Sequence, residues 1–324
     1  MPNAIRIHKH GGPEVLRWEE IESGSPGAGE VRLHQSAVGL NFIDVYHRTG
    51  AYPLPELPSS IGLEAAGVVE EVGDGVTDLA VGDRVAYAGY KPGSYAQERI
   101  MPAERVVKLP DAIDEQQAAG MMLQGMTVEY LLCRTYPVQA GQTVLFHAIA
   151  GGVGLIACQW LKQIGATVIG TAGSDEKAEL AREHGCDHVV VYSRENFVER
   201  VKEITDGAGV PVVYDSIGKS TWEDSLACLQ TRGMMVSFGA ASGVPDNFSV
   251  NDLQFKGSLY VTRPTLMHYA ATREDIVAST NMLFAAVEAG LKVDVKQTFP
   301  LADAADAHRA LEARETTGST VLVA

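Results

Sequence analysis

Residues Val144–Gly154 read VLFHAIAGGVG, and the chain continues LIACQWLKQIG. An apolar run of strand character ends in small residues and glycines, then opens into a segment with helical spacing. A pyrophosphate group asks for this shape. Small residues let the backbone come close, while the free N–H groups and positive end of a helix meet the phosphate charge. The spacing is Ala148-x-x-Gly151-x-x-Gly154, with Gly152 and Val153 inside it, so alanine stands where G-x-G-x-x-G has its first glycine. By itself such a turn is weak evidence, because it also serves merely to pack a helix on a strand. Its neighbours weigh for a dinucleotide.

Downstream the pattern alternates. ATVIGTAG, DHVVVY, VPVVYDSI and MMVSFGAA read as strands; SDEKAELAREHG, RENFVERVKEITDG and STWEDSLACLQTRG read as helices between them. Strand–helix–strand repetition of this kind predicts right-handed crossovers and a parallel sheet. Just upstream, IDEQQAAGMMLQ and GMTVEYLLCRTY read as helices. Before about residue 110 the chain is instead short strands between turns (AIRIH, EVRLHQSAV, AAGVVEEVG, DRVAYAG), a mostly β unit. After Leu259-Tyr260-Val261 come a long helix, REDIVASTNMLFAAVEAG, then VKQTFP, DAADAHRALEA and STVLVA, which return to complete the first unit. The expectation is an α/β chain of two domains: a mostly β domain of residues 1–123 and 263–324, and a Rossmann doubly wound parallel-sheet domain of residues 124–262.

Composition narrows the function classes. The net charge of −15 repels nucleic-acid phosphates and anionic membrane, so neither is an expected partner. No apolar run approaches the roughly 20 residues of a membrane span, and the N-terminus MPNAIRIHKHGG lacks a signal-peptide core. The four cysteines form no C-x-x-C pair and read as reduced thiols of a cytoplasmic protein. His184-x-Cys186-x-His188 has the composition of a metal site, but Gly185 breaks the helix there and the three side chains need not converge. His47 and His147 read as packing or surface residues.

Cofactor choice is read at the end of the second strand. An NAD site places Asp or Glu there for the ribose 2′-OH; this chain has Gly170-Thr171-Ala172-Gly173-Ser174, with Lys177 one turn on and Tyr192 ending the next strand. Ser174 and Lys177 suit a 2′-phosphate, so NADPH is expected. The alternative has Asp175 binding an NAD ribose, with Lys177 merely solvated.

These segments carry a resemblance over the whole chain. HKHGGPEVL, VGLNFIDVYHRTGAYP, GLEAAGVVEEVGDGV, VGDRVAY, GSYAQ, AAGMMLQGMTVEYLL, HAIAGGVG, FGAASG and TTGSTVLV resemble the quinone oxidoreductases, the zeta-crystallin-type branch of the medium-chain dehydrogenase/reductase superfamily. The resemblance implies a GroES-like catalytic domain, NADPH-dependent reduction of a small-molecule quinone, and a homodimer, for which MMVSFGA offers a candidate edge strand. Zinc-dependent relatives have Cys where Asn41 stands and His where Leu63 stands, and carry a four-cysteine lobe after the VGDRV stretch, which here runs VGDRVAYAGYKPGSYAQ. Asn41 and Leu63 replace neither thiolate nor imidazole, so no zinc is expected.

By the same resemblance, Asn41, Tyr46, Tyr52 and Thr127, the last at a helix start, are candidates to donate hydrogen bonds to a developing quinone oxyanion. The cofactor set is Ala148, Gly151, Gly152, Val153, Gly154, Gly173, Ser174, Lys177, Tyr192, Phe238, Gly239 and Arg263. Each catalytic candidate has a rival role: the tyrosines as packing aromatics, Asn41 as a helix cap. Two rival functions stand beside quinone reduction: a zinc-free enone or alkenal reductase of the same superfamily, and a non-catalytic NADPH-binding structural or RNA-binding protein.

Overall fold

The computed structural model describes residues 1–246 and 248–324. By contacts along the backbone the chain divides into two units: Met1–Met126, Tyr269–Val287 and Val293–Ala324 form the first, and Thr127–His268 with Glu288–Lys292 the second. The return to the first unit thus lies at Tyr269, a few residues beyond the point read from the sequence.

The first unit is built on β1 (Asn3–Ile7), β2 (Arg17–Glu20), β3 (Glu30–Leu40), β4 (Ser59–Ser60), β5 (Glu64–Val72), β6 (Arg84–Ala88), β7 (Glu98–Pro102) and β8 (Val107–Lys108). Between β3 and β4 lies one helix, α1 (Phe42–Thr49), closed by Gly50 at φ 85°, a left-handed cap that glycine adopts without Cβ strain. Two further helices, α2 (Glu115–Ala119) and α3 (Met122–Glu129), follow β8. In β3 the first half alternates between buried and less buried residues and the second half is almost wholly buried, the mark of a strand that starts at a sheet surface and ends inside.

The second unit begins within α3, which runs on into a π-helical turn at Tyr130–Thr135. Next come β9 (Thr143–Phe146), α4 (Gly152–Ile164), β10 (Thr167–Ala172), α5 (Asp175–Glu183), β11 (His188–Val191), α6 (Phe197–Ile204), β12 (Val210–Asp215), α7 (Trp222–Ala227), β13 (Leu229–Ser237), α8 (Val250–Phe255), β14 (Tyr260–Thr262) and α9 (Leu266–Tyr269). Six strands pair in the order β11-β10-β9-β12-β13-β14, every pairing parallel. Reversal of the order at β9 makes this a doubly wound Rossmann sheet, with its switch point at the carboxyl end of β9.

Two details differ from the sequence reading. The segment LQTRG belongs to β13 rather than to the helix before it. MMVSFGA is not an edge, because β14 pairs outside it; three residues of strand, YVT, give too short a pattern to announce themselves.

The chain then returns through α10 (Arg273–Glu288), β15 (Val295–Pro300), α11 (Ala304–Glu312) and β16 (Ser319–Val323). Strand β16 pairs antiparallel with β3 and parallel with β15, extending the large sheet of the first unit to seven strands. That sheet buries Leu33, Val38, Val85, Tyr87 and Leu322 in one core with Ile5, Ile61 and Tyr95. The second unit has its own core of Leu145, Ile169, Val190, Val213, Leu226 and Met235. Each such side chain contributes about 1.5–3 kcal/mol by leaving water, so both units carry the means to hold their sites rigid. Among the described residues, no helix is long and apolar enough to cross a membrane.

Candidate functional site

Candidate site residues occur in both units, and each set is described within its own unit. In the second unit, the chain leaves β9 at Phe146 and turns at Ala148, whose φ is 53°. A left-handed backbone at a residue with a Cβ costs about 1–2 kcal/mol, so the turn is held against a preference. Gly151 then caps α4 with no side chain, and no acidic residue stands in the first turn. The amide groups at this helix end therefore stay available to an anion.

The glycines differ in function. A Cβ on Gly151 would meet only the Ala148 carbonyl, at 3.3 Å, whereas a Cβ on Gly154 would sit 2.4 Å from the Ile149 carbonyl oxygen. Gly151 keeps the approach open, and Gly154 lets helix and turn pack.

At the end of β10, Ser174 caps α5 and accepts from the Lys177 N–H at 3.3 Å. A Cβ on Gly173 would lie 2.7 Å from the Tyr192 hydroxyl. Gly173, Ser174, Lys177 and Tyr192 are therefore brought to one place. Asp175 belongs to a bidentate ion pair with Arg194, at 2.6 and 2.7 Å, and the guanidinium holds its carboxyl below the usual range. An acid already occupied by arginine is a poor ribose ligand, and the arginine adds a cation beside Ser174. The sequence reading did not include Arg194; its signal was a basic residue three positions after the end of β11.

Beyond β13, the Phe238 ring packs on Phe146 at 5.6 Å, and a Cβ on Gly239 would lie 2.5 Å from the Ser216 carbonyl oxygen. Arg263 donates to the Gly239 carbonyl at 2.6 Å and to the Ser237 hydroxyl at 3.0 Å. The arginine thereby fixes the loop after β13.

These features fit a phosphorylated dinucleotide: an open anion-binding helix end, a basic and hydroxyl-bearing pocket after β10, and close-packed glycines between them.

In the first unit, Asn41 caps α1, and its backbone N–H donates to the Asp44 carboxyl at 2.9 Å. Its side chain does something else. Nδ2 donates to Glu64 Oε1 at 2.5 Å, and Oδ1 accepts from Gln124 at 3.2 Å. Among the described residues, the second amide N–H of Asn41 has no acceptor. Glu64 is fully buried and also accepts from the Leu123 N–H at 2.6 Å. Burial pushes its carboxyl up to about 8, against the pull of those donors. Buried Asp44 rises to about 7 for the same reason.

From Asp44 a polar chain continues through Tyr95 (3.1 Å) to His308 (3.1 Å) and Arg48 (2.9 Å), ending in a bidentate Arg48–Glu312 pair. Burial and the Arg48 charge press His308 down to about 3, so it is neutral.

Tyr46 and Tyr52 are half-buried and pack in a tilted pair with ring centroids 5.0 Å apart, with Phe42 5.7 Å from Tyr46. Thr127 lies in the body of α3 rather than at a helix start, because the helix begins at Met122. Neither Glu64 nor Asp44 was among the sequence candidates, although an acid inside GLEAAGVV is a visible anomaly.

The residues at Asn41 do not fit zinc. An amide held by Glu64 and Gln124, and a buried Leu63, supply neither thiolate nor imidazole. Among the described residues, the one group with metal-ligand proximity is His34, Glu70 and Glu98 elsewhere in this unit, at or near the surface and interleaved with Arg32. His184, Cys186 and His188 form no such group: the His184 ring bonds the Leu180 carbonyl and Cys186 is buried.

A mostly β unit with a glycine-turn Rossmann unit defines the class of medium-chain dehydrogenases and reductases. Residues 27–111 match the family described as alcohol dehydrogenase GroES-like domain, and residues 152–277 match the zinc-binding dehydrogenase family. The chain is 52% identical over 324 residues to a quinone oxidoreductase of Pseudomonas aeruginosa, covering all of both chains. It is 51% identical over 330 residues to a 2-haloacrylate reductase of Burkholderia, covering 100% of this chain and 99% of the other. Among solved structures, the Escherichia coli quinone oxidoreductase complexed with NADPH superposes with a TM-score of 0.98 at 50% identity, over 99% of this chain and 100% of that one. The chain belongs to the quinone oxidoreductase family.

Proposed function

We propose that this protein reduces quinones with NADPH, without a metal, as a cytoplasmic homodimer. The observation that carries the reading is the uncapped glycine turn after β9 in a chain alike, end to end, to a quinone oxidoreductase solved with NADPH. Ala148, Gly151, Gly152, Val153 and Gly154 take the pyrophosphate. Gly173, Ser174, Lys177 and Tyr192, joined by Arg194, take the 2′-phosphate. Phe238, Gly239 and Arg263 shape the nicotinamide end.

The bound cofactor supplies two electrons with one hydrogen. The chain's own residues stabilise the oxygen that becomes negative: Asn41 with its second amide N–H, Tyr46, Tyr52 and Thr127 with hydroxyls. Glu64 and Gln124 hold the Asn41 amide in one orientation, so that it meets the acceptor without reorganisation. The remaining proton comes from water. The edge strand β14, with Tyr260 open to solvent and Phe255 exposed at the end of α8, supports pairing with a second copy of the chain.

A second reading is favoured by the 2-haloacrylate reductase relative: reduction of an electron-poor carbon–carbon double bond. Steady-state oxidation of NADPH and NADH, with chelator present, against quinones and against 2-haloacrylates separates the two. Faster turnover with the haloacrylate would replace the first reading by the second. Preference for NADH, or loss of activity with chelator, would overturn the cofactor or the metal-free assignment. Sedimentation at micromolar concentration tests the dimer.

A further inference from the structure

Beneath the glycine turn, and entirely within the second unit, five residues from four elements meet. The Ala148 N–H donates to Thr171 Oγ1 at 3.3 Å; Thr171 Oγ1 lies 3.0 Å from His147 Nδ1; His147 Nε2 lies 2.9 Å from Ser225 Oγ; and Ser225 Oγ lies 2.8 Å from Asp215 Oδ2. His147, Thr171, Asp215 and Ser225 are all buried. The residues resemble a nucleophilic triad in kind but not in order, because serine stands between histidine and aspartate.

The direction of every link follows from Asp215. Its Oδ1 accepts the Ile217 and Gly218 N–H groups at 2.7 and 2.9 Å, and its Oδ2 accepts the Thr221 and Ser225 hydroxyls. Thr221 Oγ1 lies 2.7 Å from Oδ2 against 3.2 Å from the Gly218 carbonyl, so the shorter bond to Asp215 takes its proton; four donors then fill the acceptor sites of a carboxylate and leave no place for a carboxyl proton. Ser225 has one hydroxyl proton and gives it to Asp215, so it must accept from His147, whose Nε2 therefore bears hydrogen. In a neutral ring Nδ1 is then bare and accepts the Thr171 hydroxyl proton, which leaves Thr171 Oγ1 to accept the Ala148 amide. Desolvation by burial lowers the His147 pKa, in keeping with the neutral ring. Phe197 closes the ring edge-to-face at 5.0 Å.

We infer that His147, Thr171, Ser225 and Asp215 are positioning residues for the dinucleotide: a one-way hydrogen-bond chain that pins Ala148 in its left-handed conformation and so presets the turn before the cofactor arrives. The part concerning NADPH rests on the function proposed above; the chain itself does not.

The test begins with the ligand-free protein. Histidine 15N NMR, with His147 assigned by its loss in His147→Gln, is expected to show the Nε2–H tautomer at neutral pH. An Nδ1–H tautomer or an imidazolium would overturn the inference. Thr171→Val keeps the shape and removes the acceptor. It is expected to speed hydrogen exchange at the Ala148 amide at least tenfold and to raise the Kd for NADPH roughly tenfold, with kcat at saturation within about twofold. Thr171→Ser is expected to restore both, which rescue of bulk packing alone would not do. Unchanged exchange at Ala148 in Thr171→Val would sink the idea. The expected tautomer and faster exchange in a protein that binds no nicotinamide dinucleotide would support the chain and overturn the cofactor reading instead.

Discussion

Each unit buries a polar network next to its own candidate residues, and the two are built on opposite terms. Below the glycine turn, one carboxylate is saturated with donors. Behind Asn41, burial pushes up the pKa values of two carboxyls, and among the described residues buried Asp44 Oδ1 has no hydrogen-bond partner. The first arrangement fixes a backbone; it has nothing to gain from titration. The second keeps protons on acids close to neutral pH, where they can leave. A pyrophosphate asks only for fixed geometry, whereas an acceptor that gains charge asks for neighbours whose own charge is held in check.

The sharpest way to break the contrast is at the rigid turn. Gly154→Val puts a Cβ within 2.4 Å of backbone oxygen that cannot give way as a side chain would. NADPH-dependent turnover is expected to fall at least a hundredfold, read beside cofactor binding by fluorescence. Wild-type binding in this variant would mean that the turn is compliant and the contrast false. A smaller effect is expected at the pocket rim. Lys177→Ala should raise KM for NADPH roughly tenfold and leave KM for NADH nearly unchanged, the scale of one charged hydrogen bond. Equal effects on both cofactors would remove Lys177 from the 2′-phosphate.

The titratable network makes a prediction the rigid one does not. Asp44 and Glu64 have raised folded-state pKa values, about 7 and about 8 against ordinary values of 3.8 and 4.5. A raised carboxyl stabilises the fold fully below its unfolded pKa, and that contribution is lost as pH rises through the folded pKa. His308 works the other way: held near 3 against 6.5, its contribution is present above the unfolded value and lost as pH falls. Between pH 6.5 and 8.5 the two carboxyls act to lower the urea midpoint of the wild type as pH rises. In Asp44→Asn the drop should shrink, since an amide can place its oxygen at Oδ2 toward Asn41 and Tyr95. The same drop in wild type, Asp44→Asn and Glu64→Gln would remove the titration from the second network.

The two networks also differ in how far the sequence displayed them. The glycine turn was legible because one stretch contains strand, turn and helix end, and Asn41 because its segment is distinctive. The parallel sheet was legible from strand–helix alternation, but β14 was not, since three residues carry no period and only pairing with β13 identifies them. The residues that support both sites were not legible. Arg48 reaches His308 across 260 positions, and His147 reaches Ser225 across 78. No local spacing encodes such meetings; they exist only once the sheets have formed. What the sequence does show is each member as a misfit: His147 inside VLFHA, Asp215 at the end of VPVVYD, Glu64 inside GLEAAGVV. A polar residue in a wholly apolar strand is a request for a partner, and the fold supplies it.

The smallest expected effect concerns the acceptor itself. Tyr52 packs at a tilt against Tyr46 and edge-on to His47 at 6.2 Å, so its ring has a packing function whatever its hydroxyl does. Tyr52→Phe keeps the ring and removes only the donor. If the hydroxyl stabilises the developing oxyanion together with Asn41 and others, the charge retains most of its donors in the variant, and kcat with a quinone should fall by tenfold or less. KM for NADPH should not move, because the glycine turn and the residues after β10 that take the phosphates are unchanged in this variant. An unchanged kcat would leave Tyr52 a packing aromatic. A fall of several thousandfold would require a proton transfer that no quinone needs, and would turn the reading toward reduction at carbon.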